Sequence, residues 1–361
     1  MDILGLPRDV LRREFAALHN RPGKGAYHAD AVFQTLYRKG IFDPETMEEF
    51  TDNPALAQTA KQHLRFNLPT LAGKKIDGDT YKFLLKLDDG LESESVVIPM
   101  RKYKTLCVSS QVGCKMGCRF CETARMGFVR HLTASEIVAQ VMVARHVLGE
   151  PVENIVFMGM GEPLDNFDHV VNAIRILSDG SGLAIPSRSI TVSTVGHVPA
   201  ILKLAELRRN EPHEWGRLRL AVSLNAPDDE IREAIMPVNG QWSMAELKDA
   251  LQQWPLTHPD DFIFTEYVLL HGINDGPEHA HMLADYLRGL NACVNLIPYN
   301  PGLDGTYARP NSDQVKTFFH ILQDAGQRCR IRGTKGDNAM AACGQLGNRT
   351  LGRKRPALET V

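Results

Sequence analysis

The sequence contains no apolar stretch of the ~18 uninterrupted residues that a membrane span requires. Its first ten residues, MDILGLPRDV, hold no cationic stretch that leads into an apolar run, so we expect no secretory signal and a cytoplasmic protein. Internal repeats and low-complexity tracts are also lacking. Apolar residues make up 43% and charged residues 23%, which excludes disordered, collagenous and coiled-coil classes.

There is little excess charge of either sign, because 41 Lys and Arg residues stand against 43 Asp and Glu residues. This balance argues against nucleic-acid binding, but the distribution of the charge favours it. A basic segment without acidic residues consists of Arg328, Arg330, Arg332 and Lys335. Such local patches bind phosphates while the remaining surface keeps the protein soluble. We therefore treat these four residues as candidate phosphate contacts, and solvated strand ends remain the alternative.

The middle of the chain alternates between short apolar runs and helical patterns. The predicted strands lie at 105–110, 154–159, 189–194, 218–224, 262–270, 292–298 and 328–333. A helix is predicted to open at Thr133, where Glu136 completes a capping box. Further helices are expected near 168–178, 197–209, 228–235, 244–253, 278–290 and 312–325. This alternation predicts parallel strands with crossover helices, and hence an α/β barrel, open or closed.

The pattern divides the chain into three parts. Residues 1–75 are predicted to form a small helical accessory domain. Residues 76–347 are predicted to form the barrel, preceded by a β extension with one or two antiparallel strands within 80–99. Residues 348–361 are predicted to form a basic, loose tail.

Seven cysteines are unusual for a reducing compartment, and three of them are closely spaced: Cys114, Cys118 and Cys121. This Cys-x3-Cys-x2-Cys loop follows the first predicted strand of the barrel, at the edge where α/β folds carry their active sites. Three thiolates on one loop can hold three irons of a cubane cluster and leave the fourth iron open. A zinc site completed by His131 and a chance grouping of buried thiols are the alternatives.

This loop resembles that of the radical S-adenosylmethionine superfamily. Other stretches resemble the RlmN/Cfr family of RNA adenine methyltransferases in one collinear order over about residues 80–347. They are CVSSQVGC, FCETARMGF, FMGMGEPLDN, ITVSTVGHVPA, AVSLNAPDDEIR, VLLHGINDGPEHA, NLIPYNP and RGTKGDNAMAACGQL. The resemblance implies a partial (β/α)6 barrel, a [4Fe-4S] cluster held by the three cysteines, and two molecules of S-adenosylmethionine per turnover. The helical accessory domain resembles the family's RNA-binding domain only in length and helicity.

The resemblance also implies a set of S-adenosylmethionine contacts at the ends of successive strands. They are Gly161, Glu162, Ser193, Ser223, Leu224, Asn225 and Asn300. Taken alone, the glycines are typical of a tight turn and the polar residues of loops that satisfy their own backbone. Asn225 stands where some relatives have His.

Three further residues acquire chemical roles through the resemblance. Cys343 corresponds to the cysteine that carries the methyl group, first as a nucleophile and then as the source of a carbon radical that adds to adenine. Cys107 corresponds to the thiol that releases the adduct through a transient disulfide with Cys343. Glu94 corresponds to the proton acceptor. Cys293 and Cys329 match no function and are predicted to be buried core residues.

The expected activity is methylation of carbon 2 of an adenosine in 23S ribosomal RNA, with a tRNA adenosine as a further substrate. An electron donor such as flavodoxin with its reductase is expected as a partner, no membrane partner is expected, and the chain is expected to be a monomer. Carbon-8 methylation and another RNA target remain open, since ETARMGFVRHL departs from the best-known carbon-2 enzymes at Glu122 and Met126. A non-catalytic, zinc-stabilised RNA-binding module is the alternative from another class.

Overall fold

The computed structural model describes residues 1–19, 25–301, 305–333 and 346. In this part of the chain the strands are β1 Thr70–Asp77, β2 Thr80–Lys86, β3 Glu92–Pro99, β4 Lys104–Cys107, β5 Gln111–Gly113, β6 Phe128–His131, β7 Val152–Phe157, β8 Ile190–Thr194, β9 Arg219–Ser223, β10 Ile263–Leu269, β11 Ala292–Pro298 and β12 Arg328–Ile331. The helices are α1 Arg8–Leu18, α2 Ala26–Gln34, α3 Pro54–His63, α4 Glu122–Arg125, α5 Ala134–Met142, α6 Phe167–Ser178, α7 Val198–Asn210, α8 Pro212–Trp215, α9 Asp229–Ile235, α10 Met244–Gln252, α11 Pro277–Leu287 and α12 Ser312–Asp324.

Ten strands form one sheet in the order β1-β2-β3-β4-β7-β8-β9-β10-β11-β12. Within this sheet the strands β4, β7, β8, β9, β10, β11 and β12 are parallel, and helices lie between each of them and the next. The strands β1 to β4 pair antiparallel and extend the sheet at one edge. The predicted partial (β/α)6 barrel is therefore confirmed, with six strand–helix units followed by a seventh parallel strand.

Local sequence explains where several of these elements begin. Thr133 accepts a hydrogen bond from the backbone of Glu136, and Glu136 accepts one from the backbone of Thr133, so the predicted capping box opens α5. Ser243 and Glu246 repeat this arrangement at α10. The inner strands of the sheet are mostly buried because helices cover one face and the barrel interior the other.

The two antiparallel strands predicted within 80–99 are confirmed as β2 and β3. The prediction missed two other features. The first is β1, because Thr70–Asp77 pairs with β2 although its side chains are largely exposed and it lacks an apolar alternation. The sequence also gave no indication of the small hairpin of β5 and β6, which forms a separate two-stranded sheet around the cysteine loop. The predicted domain boundary at residue 75/76 falls within β1.

The helical N-terminal segment packs on the outside of the barrel. Ile3 and Leu4 are buried in the same apolar core as α5 and α6. The backbone oxygen of Gly5 accepts a hydrogen bond from Asn172 of α6 at 2.9 Å, and Arg8 forms an ion pair with Asp179 at 2.9 Å. One continuous core therefore joins the helices to the barrel.

Candidate active site at the carboxyl ends of the strands

One cavity lies where the parallel strands end. The predicted site residues that line it are Cys114, Cys118, Cys121, Gly161, Glu162, Ser193, Ser223, Asn225 and Asn300. Parallel strands place the residues that follow them at one edge of the sheet, where ligands of α/β proteins bind. The fold thus brings together residues that are up to 186 positions apart in the chain, from Cys114 to Asn300.

The cysteine loop is held between the two strands of the β5–β6 hairpin. The backbone N–H of Cys114 donates to the oxygen of Gly127 at 3.1 Å. Gly113 has a φ of +74°, and a Cβ at that position would lie 1.8 Å from the Gly127 oxygen. A second contact anchors the loop to α9, because the backbone N–H of Arg119 donates to the oxygen of Ile235 at 2.9 Å. Backbone contacts therefore fix both the entry and the middle of the loop.

The three thiols are poorly hydrated. Burial raises the pKa of Cys114 to about 12, and burial also raises the pKa of Cys118 and Cys121 above the ordinary value. Thiolates at these positions therefore require positive charge from a bound group. Within residues 1–19, 25–301, 305–333 and 346, no three His, Cys, Asp or Glu side chains converge as they would around a single ion. Three cysteines around one cavity fit a polynuclear iron cluster, in which each thiolate binds a different iron.

The MGMGEPL segment packs tightly against the chain that follows β4. A Cβ at Gly159 would lie 2.7 Å from the oxygen of Val108, and a Cβ at Gly161 would lie 2.5 Å from the Gln111 side chain. Gly161 also has a φ of +100°, a conformation that side chains rarely adopt. These glycines therefore let two segments of the chain pack closely against each other, and both also line the cavity.

Glu162 is a buried carboxylate at the cavity wall. Its two oxygens accept backbone hydrogen bonds from Leu164 at 3.0 Å and from Val195 at 2.8 Å. Burial nevertheless raises the pKa of Glu162 to about 7, because removal from water outweighs these hydrogen bonds. A cationic ligand at this position would favour the ionised form.

Ser193, Ser223 and Asn225 approach the cavity from β8 and β9. Ser193 pairs in register with Ala221, two residues before Ser223, so both serines point to the same face of the sheet. Asn225 adopts a φ of +56°, and its side-chain oxygen accepts the backbone N–H of Val268 at 2.8 Å. Leu224 does not line the cavity; it is fully buried, and its backbone N–H donates to the oxygen of Glu266 at 3.0 Å.

Arg232 of α9 ties together the ends of β8 and β9. Its guanidinium donates to the backbone oxygens of Val195 at 2.5 Å, Ser223 at 3.2 Å and Leu224 at 3.2 Å. The side chain is 1% exposed and forms no ion pair with a carboxylate among the residues that the structure describes. This buried cation therefore organises the strand ends on which the candidate contacts lie.

Glu266 of β10 is a cavity residue that the sequence did not reveal. It lines the same cavity as the three cysteines, and burial raises its pKa. Its carboxylate accepts a hydrogen bond from Asn295 at 2.7 Å. A single Glu in the apolar run FIFTEYVLL looked like part of a core strand, and only the register with Ser223 shows that it faces inward.

Glu94 lies on β3 and Cys107 on the neighbouring strand β4, which pairs with β3 in the antiparallel direction. Cys107 is opposite Val96, two residues from Glu94, so both side chains share one face of the sheet. Glu94 is buried and forms an ion pair with Lys82 of β2 at 3.1 Å. Cys343 and Lys335 lie outside the described residues. Leu346 lines the cavity, and its backbone oxygen accepts a hydrogen bond from Thr123 of the cysteine loop at 2.6 Å.

The three described arginines of the basic segment lie along one edge strand. Arg328 is at the start of β12, where it donates to Asn291 at 3.2 Å, and thus at the end of the strand away from the cavity. Arg332 follows the strand, and its charge acts on Glu266. The segment is therefore not one compact patch.

The remaining two cysteines differ from each other. Cys293 is buried, as predicted. Cys329 is only partly buried, because it lies on β12 at the edge of the sheet, so the prediction of a buried core residue was wrong there. No helix in the described part of the chain is long and apolar enough to cross a membrane.

Comparisons with known proteins agree with this geometry. Residues 108–284 match the Radical SAM superfamily. The chain is 41% identical to a dual-specificity RNA methyltransferase RlmN of Halorhodospira halophila, over 96% of this chain and 93% of the relative. It is 40% identical to RlmN 1 of Myxococcus xanthus, over 98% and 97% of the two chains. The crystal structure of a radical SAM methyltransferase from Sphaerobacter thermophilus superimposes with a TM-score of 0.86 and 36% identity, covering 96% of this chain and 98% of that one.

Proposed function

The chain belongs to the RlmN family of radical S-adenosylmethionine RNA methyltransferases, and from that membership we propose that it methylates carbon 2 of an adenosine in 23S ribosomal RNA. A tRNA adenosine is the second substrate in this proposal. The relatives are named dual-specificity RNA methyltransferases, and that name agrees with a proposal of two RNA substrates. The observation that carries the proposal is the cavity that three cysteines and two buried carboxylates share.

This cavity suits a [4Fe-4S] cluster with S-adenosylmethionine on its open iron. Cys114, Cys118 and Cys121 would hold the cluster, since their buried thiolates need positive charge. Glu162 and Glu266 are desolvated carboxylates that favour a cationic ligand, and the ammonium group and sulfonium of S-adenosylmethionine are cationic. Bound there, the two groups would supply a 5′-deoxyadenosyl radical.

The protein's own part in the reaction is to carry the methyl group and to move protons. Carbon 2 of adenine is too weak a nucleophile to attack a sulfonium methyl group, so the methyl group first goes to Cys343. Leu346 supports this role, because it lines the cavity and lies three positions after Cys343, a reach of about 11 Å at most. Cys107 then releases the product as a disulfide with Cys343, and a reducing compartment such as the cytoplasm regenerates both thiols.

Glu94 accepts the proton that leaves the methylated ring in this proposal. It lies on the same sheet face as Cys107, and Lys82 fixes its carboxylate. The target base has to be unstacked from folded RNA to reach the cavity. Arg330, Arg332 and Lys335 are proposed to contact RNA phosphates. Arg328 belongs to the same proposal and would contact RNA at the other end of β12. A flavodoxin-type donor supplies electrons, and the chain acts as a monomer.

Anaerobic reconstitution with iron and sulfide tests the proposal. We expect about four irons per chain. After incubation with S-adenosylmethionine that carries a labelled methyl group, peptide mass spectrometry should find the label on Cys343. Cys343→Ala should keep the iron and lose the label, whereas Cys293→Ala, a buried cysteine without a proposed role, should keep both. Equimolar zinc without iron, together with unlabelled Cys343, would instead support the zinc-stabilised RNA-binding module.

A further inference from the structure

Helix α9 carries a buried positive charge on the face that packs against the cysteine loop. The backbone oxygen of Ile235, at the end of α9, accepts a hydrogen bond from the backbone N–H of Arg119. Ile235 also belongs to the same buried apolar cluster as Cys114 and Cys118. Arg232 lies three positions earlier on the helix, and residues three or four positions apart share one face of an α-helix. Arg232 is therefore on the side of α9 that faces the loop.

The guanidinium of Arg232 has only neutral hydrogen-bond partners among the described residues. It donates to the side-chain oxygen of Asn239 at 2.9 Å and to the backbone oxygens of Val195, Ser223 and Leu224. The side chain is almost completely buried. An arginine keeps its proton even when it is buried. A full positive charge, which no carboxylate contacts in the described part of the chain, thus lies in a region of low dielectric.

The charge of Arg232 reaches the cysteine loop. Burial, Cys121 and Cys114 raise the pKa of Cys118, whereas the positive charge of Arg232 lowers it. The effect is mutual, because burial lowers the pKa of Arg232 and Cys118 is one of the groups that raise it. Both side chains are buried, so little solvent screens this interaction. Arg232 therefore acts on the place where the thiolates of the proposed cluster site lie.

Asp229, at the start of α9, is a carboxylate that acts on Arg232 without forming an ion pair with it. Its Oδ1 accepts hydrogen bonds from the side-chain amide of Asn239 at 2.8 Å and from the backbone N–H of Met244 at 2.7 Å. The residue is also exposed, so water screens its charge. Asp229 therefore offsets only part of the Arg232 charge, and the rest remains available to an anion at the cysteine loop.

We propose that the buried charge of Arg232 raises the reduction potential of the cluster that the cysteine loop holds, an assignment that rests on the proposed function. Reduction moves one electron from a low-potential donor, which is oxidised, to the cluster, which gains one negative charge and no proton. A nearby cation stabilises the more negative of two states, and net charge is one of the properties that set the potential of an iron–sulfur cluster. The hydrogen bonds of Arg232 also hold the ends of β8 and β9, so the test has to separate charge from position.

A redox titration of three variants makes this separation without any turnover. Arg232→Lys keeps the positive charge, whereas Arg232→Gln and Arg232→Met remove it. Each protein is reconstituted anaerobically and titrated with dithionite, whose radical anion is oxidised to sulfite as each cluster takes up one electron. The electron paramagnetic resonance signal of the reduced cluster then gives the midpoint potential.

We expect both charge-removing variants to shift the equilibrium toward the oxidised cluster by about tenfold, a midpoint potential more negative by about 59 mV for one electron. Arg232→Lys should stay within about twofold of the wild type, because a buried ammonium group supplies the same charge.

Arg145→Gln is the matched control. Arg145 also donates to backbone oxygens, those of Val152 and Leu183, and forms no ion pair within the described ranges. Val152 is the first residue of β7, and the six residues of that strand place it about 20 Å from the end that carries the cavity. Arg145→Gln therefore removes a cation of the same kind from a remote place and should leave the midpoint potential unchanged. Circular dichroism and iron content verify that each variant is folded and loaded.

Three results would overturn the assignment while the proposed function stands. The first is equal midpoint potentials in the wild type and the charge-removing variants. The second is a shift in Arg232→Lys as large as that in Arg232→Gln, because the hydrogen bonds rather than the charge would then be the cause. The third is an equal shift in Arg145→Gln, which would mean that any lost cation has this effect.

Iron content decides the outcome if the charge-removing variants hold no cluster. Full iron uptake by Arg232→Lys would then support the assignment, since the charge alone would account for retention of an anionic cluster. Loss of iron from Arg232→Lys as well would overturn it, because the site would need the shape of the guanidinium. A wild-type protein without iron after reconstitution would overturn the proposed function itself, and the assignment of Arg232 with it.

Discussion

At the scale of single residues, the site is defined by carboxylates that the fold has removed from water. Glu162 and Glu266 are both buried at the cavity wall, and burial raises the pKa of each. Neither forms an ion pair with the described residues, so the cavity is electrostatically incomplete without a cation. This incompleteness distinguishes a ligand site from a set of loop residues that satisfy one another.

The raised pKa of Glu162 makes a prediction about stability. A carboxyl group whose pKa rises from 4.5 unfolded to about 7 folded favours the folded state below pH 4.5 and loses that contribution as the pH rises through 7. The free energy of unfolding of the cluster-free protein should therefore fall by up to about 3 kcal/mol between pH 5 and pH 8. Glu162→Gln should remove this loss, as urea denaturation at each pH would measure.

Glu206→Gln, an exposed replacement, is the control and should follow the wild type at every pH. If the wild type and Glu162→Gln gave parallel pH profiles, burial of the Glu162 charge would not be the cause of the pH dependence.

The sequence could predict the site residues that lie at strand ends, but it could not predict those that lie inside strands. Ser193 and Ser223 lie at the ends of recognisable strands, and Glu162 follows one in the MGMGEPL motif, so the pattern alone indicated that they would lie at one edge. Glu266 lies inside a strand, and only three-dimensional register assigns it to the inner face. Lys82 was missed for a similar reason, because its partner Glu94 lies on another strand.

At the scale of elements, the cysteine loop depends on the hairpin that holds it. The strands β5 and β6 are only three and four residues long, and Gly113 lets them approach more closely than any side chain would allow. The loop is hydrogen-bonded to α9 through the backbone of Arg119. The same helix contains Arg232, whose side chain contacts the ends of β8 and β9. Helix α9 thus connects the proposed cluster ligands to the proposed S-adenosylmethionine contacts.

Gly113→Ala should disrupt this loop. The new Cβ would overlap a backbone oxygen, and alanine disfavours a φ of +74°, so the hairpin has to open. We expect the purified protein to remain folded by circular dichroism. It should take up less than about half of the wild-type iron on anaerobic reconstitution, because the cysteines no longer hold the geometry that a cluster requires.

The control for this experiment is Gly73→Ala in β1, where a Cβ would meet no atom within 4 Å. That variant should take up iron as the wild type does. Full iron uptake by Gly113→Ala would mean that the hairpin does not hold the cysteine loop.

The sequence predicted most of these elements because their patterns are strong. Most of the parallel strands carry an apolar run, the edge strand β12 (RCRI) being the exception, and helix caps such as Thr133 mark where the intervening helices begin. Strand β1 has the composition TLAGKKID and is exposed, so its pairing with β2 rather than its own pattern makes it a strand. The hairpin of β5 and β6 depends on closure around the cysteine loop, which local sequence does not encode.

At the scale of the whole molecule, the helical segment and the barrel share one apolar core. The side chain of Arg38 donates to the backbone oxygen of Gly180 at 2.6 Å, and His146 contacts the backbone oxygen of Tyr37 at 3.0 Å. These contacts fix the N-terminal helices to the outside of α5 and α6. Any RNA surface on these helices would therefore have a fixed relation to the cavity.

The central claim is that this chain transfers a methyl group to carbon 2 of an adenosine in RNA. Its most direct test is mass spectrometry of nucleosides from 23S ribosomal RNA and tRNA that lack the modification, after incubation with the reconstituted protein, S-adenosylmethionine and a reductant. We predict 2-methyladenosine in wild-type reactions and none with Cys343→Ala. Formation of 8-methyladenosine would contradict the carbon-2 assignment, and unmodified RNA from a protein that holds its cluster and cleaves S-adenosylmethionine would contradict the claim as a whole.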